Sequence, residues 1–184
     1  MAKIEDSLKI LMRLEFNNSS NALHQNPTEP VYTYMGIYQK AHPKWEGWRI
    51  IKESIARLGN IKLASIELYK NKDLLSSVEW FYKKIFWDVA RLDEINIQHT
   101  ANEIFIFGVN AGMPTAIKAA QRLVGLQANG KMGDETVFVL NNFKPEVFDS
   151  SYDILEQEHY DSLIKKNFKL KIYATGWRTR ALAV

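Results

Sequence analysis

The sequence predicts an all-α fold. Three observations predict it: apolar residues recur three and four apart in segment after segment, Gly, Pro, Asn and Asp fall between those segments, and strand-like alternation is scarce. Ile104-Phe105-Ile106-Phe107 is the one serious strand candidate, and its setting favours helix.

From Ile4 to about Glu15 the apolar residues Ile4, Leu8 and Leu11 keep helical spacing, and at about 100° per residue Glu15 falls on the same stripe. Asn17-Asn18-Ser19-Ser20-Asn21 ends that helix. The segment to about Tyr38 holds Pro27 and Pro30 and is expected to be a long ordered loop, a kind that usually carries function. Pro43 suits the first turn of a helix whose stripe is Trp45, Trp48, Ile51, Ile55 and Leu58 and which Gly59 closes. A shorter helix comes next, from Ile61 to Tyr69. Asp73 is the expected N-cap of another, in which Leu74, Val78, Phe81, Ile85, Val89 and Leu92 mark the central buried helix.

Thr100 opens a helix that reaches Gly108 to Asn110, and Gly112 and Pro114 break and restart the chain. Helices are expected from Pro114 to Val124, near Asp134 to Asn142 after the Asn129-Gly130 turn, from Tyr152 to Lys166, and from Phe168 to Ala181.

A chain of 184 residues with 46% hydrophobic residues can bury a proper core without help. It has no Cys, which excludes disulfides, thiolate metal sites and Cys nucleophiles. A net charge of +3 is far from the load of a dedicated nucleic-acid binder, so no nucleic-acid partner is expected. No apolar run approaches the roughly 20 residues needed to span a bilayer, so no membrane insertion is expected either. The first residues include Glu5 and Asp6 where a secretory leader would be basic, which predicts synthesis in the cytoplasm without a signal peptide.

Glu15 is the residue with chemistry in its setting. Spacing leaves two readings: a glutamate snorkelling from a helix end, or an acid half inside the core and half at a cleft wall, where burial favours the protonated form that glycoside hydrolysis requires. His24 and His42 lack the partners of a metal or nucleophile motif, so no metal is expected. His24-Gln25-Asn26 is a dense hydrogen-bonding run, suited either to sugar N-acetyl and hydroxyl groups or to capping its own loop. Among Trp80, Phe81, Phe86 and Trp87, core positions are expected for all but one Trp. Lys165, Lys166, Lys169 and Lys171 read most simply as a solvated helix face.

Four blocks then resemble glycoside hydrolase family 108, the phage endolysin and secretion-activator type of N-acetylmuramidase. Leu14-Glu15-Phe16-Asn17, with Asn26-Pro27, Thr33 and Gly36-Ile37 behind it, resembles the family's Glu-Gly-Gly-Tyr and its later elements. Phe81-Tyr82-Lys83-Lys84-Ile85-Phe86-Trp87-Asp88 resembles its aromatic helix. Phe107 to Gly112, Ala119 to Leu123 and Asn129 to Thr136 resemble its peptidoglycan-binding half, and Gly176-Trp177-Arg178-Thr179-Arg180 its closing Gly-Trp-x-x-Arg. Phe16 and Asn17 replace the two glycines after the glutamate, and Pro30-Val31 replaces another pair, so the loop over the acid takes a different path.

The resemblance implies a lysozyme-like catalytic region over 1–98 and a small helical peptidoglycan-binding region over 99–184, packed as one compact unit. It implies that Glu15 protonates the leaving sugar oxygen, and that Asn26, Thr33 and Asn110 contact substrate. Glu29, the loop's only carboxylate, is the candidate base or else a solvated acid; Thr33 or Tyr34 would instead hold a water. His24 and Gln25 complete the expected substrate contacts. The implied partner is peptidoglycan, met by a monomer with no cofactor after release by a holin or a secretion apparatus. An inactive wall-binding or phage structural module and a lytic transglycosylase are the alternatives.

Overall fold

The structure is a computed structural model and describes residues 1–16, 18–25 and 30–182. It is predominantly helical, as expected, with one small antiparallel sheet. The chain divides into two compact units, Leu11–Tyr82 and a second made of Met1–Ile10 and Lys83–Val184.

Helix α1 (Ile4–Glu15) has the bounds its periodicity predicts and ends inside the Leu11–Tyr82 unit. The expected long loop after it contains a sheet. Leu23–Gln25 (β1), Tyr32–Tyr34 (β2) and Ile37–Tyr38 (β3) form three antiparallel strands in sequence order. Leu23 lies opposite Tyr34, and Tyr34 opposite Ile37; all three are buried and make the inner face. Strands of two or three residues are too short to show alternation along the sequence, and the third dimension supplies it across the strands.

The β2–β3 connection is a two-residue turn in which Met35 (φ 42) and Gly36 (φ 76) both have left-handed backbone. That is the geometry of a type I′ hairpin, usually signalled by Asn-Gly rather than Met-Gly. Gly36 is required twice over, because a Cβ there would stand 2.7 Å from the Tyr82 hydroxyl and 3.2 Å from the Phe16 ring.

Helix α2 (Gly47–Leu58) starts later than Pro43 predicts. The Trp48 indole donates to the His42 carbonyl at 2.8 Å and closes the preceding residues into a turn instead. Gly59 caps α2 in the left-handed conformation, as expected. Helix α3 (Ile61–Leu68) is capped by Asn60, and α4 (Lys72–Tyr82) by Asn71, whose side chain accepts from Leu74 N at 2.9 Å; Asp73 sits in the first turn rather than at the cap.

In the second unit the chain makes a π-helical turn over Lys83–Trp87, closed by Asp88 N to Lys83 O at 2.8 Å. A π turn inserts extra residues per turn and so shifts the phase of the stripe. Ile85 and Val89, expected in the core, are accordingly exposed, while Trp87 and Leu92 are buried. The central buried helix is therefore not the one starting at Asp73. It is α5 (Gln98–Ala111), in which every residue from Thr100 to Gly108 is buried.

Helix α6 (Met113–Leu123) packs on α5, and the Met113 methyl fills the space where a Cβ on Gly108 would fall. Gln121 explains the Asn-Gly turn after α6. Buried on that helix, it donates to Asn129 Oδ1 (3.0 Å), the Lys131 carbonyl (2.9 Å) and Thr136 Oγ1 (3.1 Å), and accepts from Gly130 N (2.9 Å). Helices α7 (Asp134–Asn142), α8 (Pro145–Lys166) and α9 (Ala174–Ala181) complete the chain, with α8 starting two turns before its expected Tyr152 and α9 preceded by a 3₁₀ stretch, Phe168–Tyr173. No helix among the described residues is long and apolar enough to cross a membrane.

Candidate active site

Helix α3 organises the end of α1 and the sheet. Ser65 on α3 donates to the Ser19 carbonyl at 2.6 Å and accepts from Leu23 N at 2.9 Å. Tyr69, just past α3, donates its hydroxyl to the Phe16 carbonyl at 2.8 Å, and Tyr34 donates to the Leu68 carbonyl at 3.0 Å. These bonds fix the backbone on both sides of residue 17 without involving any charged group. They set the direction in which α1 presents its last residue, Glu15.

Glu15 is exposed, which corrects the expectation of a half-buried acid. Angular position about a helix says which face a residue shares; it does not say how far the neighbours extend along the axis. The buried stripe is closed by Leu11, and Glu15 is one turn beyond it. The carboxylate still acts inward electrostatically. Burial raises the Tyr82 hydroxyl above the ordinary tyrosine range, and the negative charge of Glu15 raises it further. Tyr82 donates to the Met35 carbonyl at 2.8 Å, so Glu15, Tyr82 and the Met35-Gly36 turn form one local group.

The sheet sorts the remaining candidates by face. His24 lies opposite Thr33, and Thr33 opposite Tyr38; His24 is exposed and the other two are half-buried, so they form the outer face. Gln25 is exposed at the end of β1. Tyr34 is on the inner face, fully buried with its hydroxyl committed to Leu68, which makes it a core residue. Asn26 and Glu29 lie outside the described residues. Asn110 belongs to the second unit, where its amide donates to the Tyr160 hydroxyl at 2.6 Å. His42 packs edge-on against Phe81 at 4.7 Å between ring centres, a structural setting.

Each unit also carries an aromatic hollow. In the first, Trp45 and the exposed Trp80 line a space of about 600 Å³ together with Lys44, Glu46, Asp73 and Ser76. Trp80 is thus the one Trp of its segment turned outward, whereas Phe81 and Trp87 are buried. In the second, Asn110, Tyr173, Gly176, Trp177 and Arg180 line a hollow of about 460 Å³, and Trp177 stacks on Tyr160 at 4.8 Å. Asn110 and the Gly-Trp-x-x-Arg segment, far apart in sequence, meet there.

The strongly perturbed acids are elsewhere, and sequence reasoning misses them. Glu103 on α5 and Glu156 on α8 are each 1% exposed. Burial, reinforced by the charges of Glu156, Asp153 and Asp149, pushes Glu103 up to about 9. Burial, then Asp153, pushes Glu156 up to about 8. A signal for Glu103 is present: it adjoins the run Ile104 to Phe107, and a helix apolar on every side buries whatever polar residue it carries.

A mostly helical chain with a short three-stranded antiparallel sheet is consistent with a lysozyme-like helical fold. The family model described as Glycosyl hydrolase 108 matches residues 23–112, just under half of the sequence. The structure of Brucella abortus SagA is similar over 98% of this chain and 94% of that one, with a TM-score of 0.61 at 17% identity, a likeness of fold. No curated protein matches the chain. Glu15 precedes the first residue of the family match.

Proposed function

We propose that the protein is an N-acetylmuramidase that cuts peptidoglycan glycan strands with Glu15 as general acid. The observation that carries this reading is the match to a glycosyl hydrolase family over residues 23–112, with Glu15 exposed at the end of the helix that leads into it. The acid protonates the glycosidic oxygen as positive charge grows on the sugar ring. Because Glu15 is exposed, the glycan itself has to exclude water from the carboxyl. His24 and Thr33, paired across β1 and β2, offer hydrogen bonds to hydroxyl and N-acetyl groups, and Glu29 activates or aligns the water. The hollow of Asn110 and Trp177 gives the second unit a stacking surface for wall material. Such an enzyme reaches the wall as endolysins and secretion activators do, through a separate export or release step.

Purified protein is expected to release reducing sugars from peptidoglycan. General-acid catalysis contributes about 10²–10⁴-fold, so Glu15→Gln should lose that factor in rate while keeping wall binding and melting temperature. An equally active Glu15→Gln would overturn the assignment. The exposure of Glu15 and the Phe16 beside it favour a second reading, a wall-binding module without cutting activity; co-sedimentation with peptidoglycan and no sugar release would establish it. Fragment masses separate hydrolysis from transglycosylation, since the hydrolytic product is heavier by one water.

A further inference from the structure

Helices α5 and α8 bring together an acid group that the glycosidase reading does not use. His99 and Glu103 are one turn apart on α5, and Asp149 stands on the first part of α8. His99 Nε2 lies 2.6 Å from Asp149 Oδ1 and 3.7 Å from Glu103 Oε1, and one ligand atom from each residue falls within 4.8 Å of the others. Both Glu103 oxygens are buried without a hydrogen-bond partner, although the side chain is only 1% exposed and its Oε1 faces the imidazole. Asp153, one turn along α8 from Asp149, adds another buried oxygen without a partner.

A buried carboxyl with neither oxygen engaged is costly in either protonation state. The ionised form has only the half-exposed His99 imidazole, 3.7 Å away, to face, and the neutral form has a hydroxyl with no hydrogen-bond acceptor. A cation shared with His99 and Asp149 would satisfy it. We propose that His99, Glu103 and Asp149 form a binding site for a divalent transition-metal ion, Zn²⁺ by preference, that clamps α5 to α8.

The donor set and the distances suit such an ion. Metal bonds of about 2.0–2.1 Å in a tetrahedral site separate ligand atoms by about 3.3 Å. The observed spacing brackets that value, so the His99–Asp149 contact has to open by less than about 1 Å to admit the ion. Both of those side chains are more than a third exposed, which leaves them free to adjust and leaves a path from solvent, while the buried Glu103 fixes the inner ligand. One imidazole with carboxylates selects a Zn²⁺-type ion over Mg²⁺ or Ca²⁺, which prefer oxygen alone. Asp153 stands as an outer carboxylate near the imidazole.

The site is tested on the full chain after chelator treatment, by calorimetric titration with Zn²⁺, Mn²⁺, Mg²⁺ and Ca²⁺ and by thermal melting. One equivalent of Zn²⁺ should bind and raise the melting temperature, with Mg²⁺ and Ca²⁺ giving neither effect. Glu103→Gln, nearly isosteric, and Asp149→Asn, at a half-exposed position, should each weaken Zn²⁺ binding by at least the roughly tenfold that loss of even an outer partner costs. Circular dichroism verifies that both variants are folded, and Asp149→Asn decides the matter should Glu103→Gln unfold. Failure of the folded wild-type chain to bind Zn²⁺, preference for Mg²⁺ or Ca²⁺, or undiminished binding in folded variants would each overturn the proposal. None of these outcomes depends on whether Glu15 is catalytic.

Discussion

The two compact units treat their acids in opposite ways. In Leu11–Tyr82 the notable carboxylate, Glu15, is exposed at a helix end, and the interior is satisfied by hydroxyls donating to backbone carbonyls. In the other unit Glu103 and Glu156 are buried, with both Glu103 oxygens and one Glu156 oxygen left without hydrogen-bond partners. An acid at the edge of an apolar stripe is thus governed by where packing stops. An acid inside a helix that is apolar all round is buried wherever it falls.

The largest effect expected on stability lies in the helical unit. Phe105 on α5 is fully buried and meets the Trp87 ring edge-on at 5.8 Å. Phe105→Ala should cost about 3–5 kcal/mol in denaturant unfolding. A loss under about 1 kcal/mol would show that α5 is not the centre of its unit.

A smaller loss is expected in the other unit from Gly36→Ala, which would put a side chain into a left-handed turn against the Tyr82 hydroxyl. Strain of that kind costs about 1–3 kcal/mol, read from the same unfolding curves. Because the turn belongs to the local group around Glu15, sugar release from peptidoglycan should fall as well. A variant with wild-type stability would contradict the tight Gly36 contact.

The last effect is one of pH, read as a slope rather than as a single loss. Glu156 has a folded value of about 8 against an ordinary 4.5, so between those values the folded chain holds a proton that the unfolded chain has released. That contribution to stability is complete below about 4.5 and is lost as pH rises through about 8. Melting temperature should therefore decline over this window, and Glu156→Gln should flatten the decline. An unchanged slope in Glu156→Gln would show that the group is not buried in solution.

Helix α1, the Gly59 cap, α7 and the helical nature of Ile104 to Phe107 were all legible, because each rests on local periodicity or a local backbone preference. The sheet was not, since Met35-Gly36 turns the chain without the usual Asn and three short strands show their two faces only once paired. Among the candidate residues, the outward placing of His24 and Thr33 and the inward placing of Tyr34 come from that pairing alone.

Chain-local information was enough for most helices, for one outward Trp in the aromatic run, and for the family-model match over residues 23–112. Which carboxyls lose their water was settled by the assembled fold. Burial is a property of what packs over a side chain, and for Glu103 and Glu156 that cover comes from segments distant in the chain.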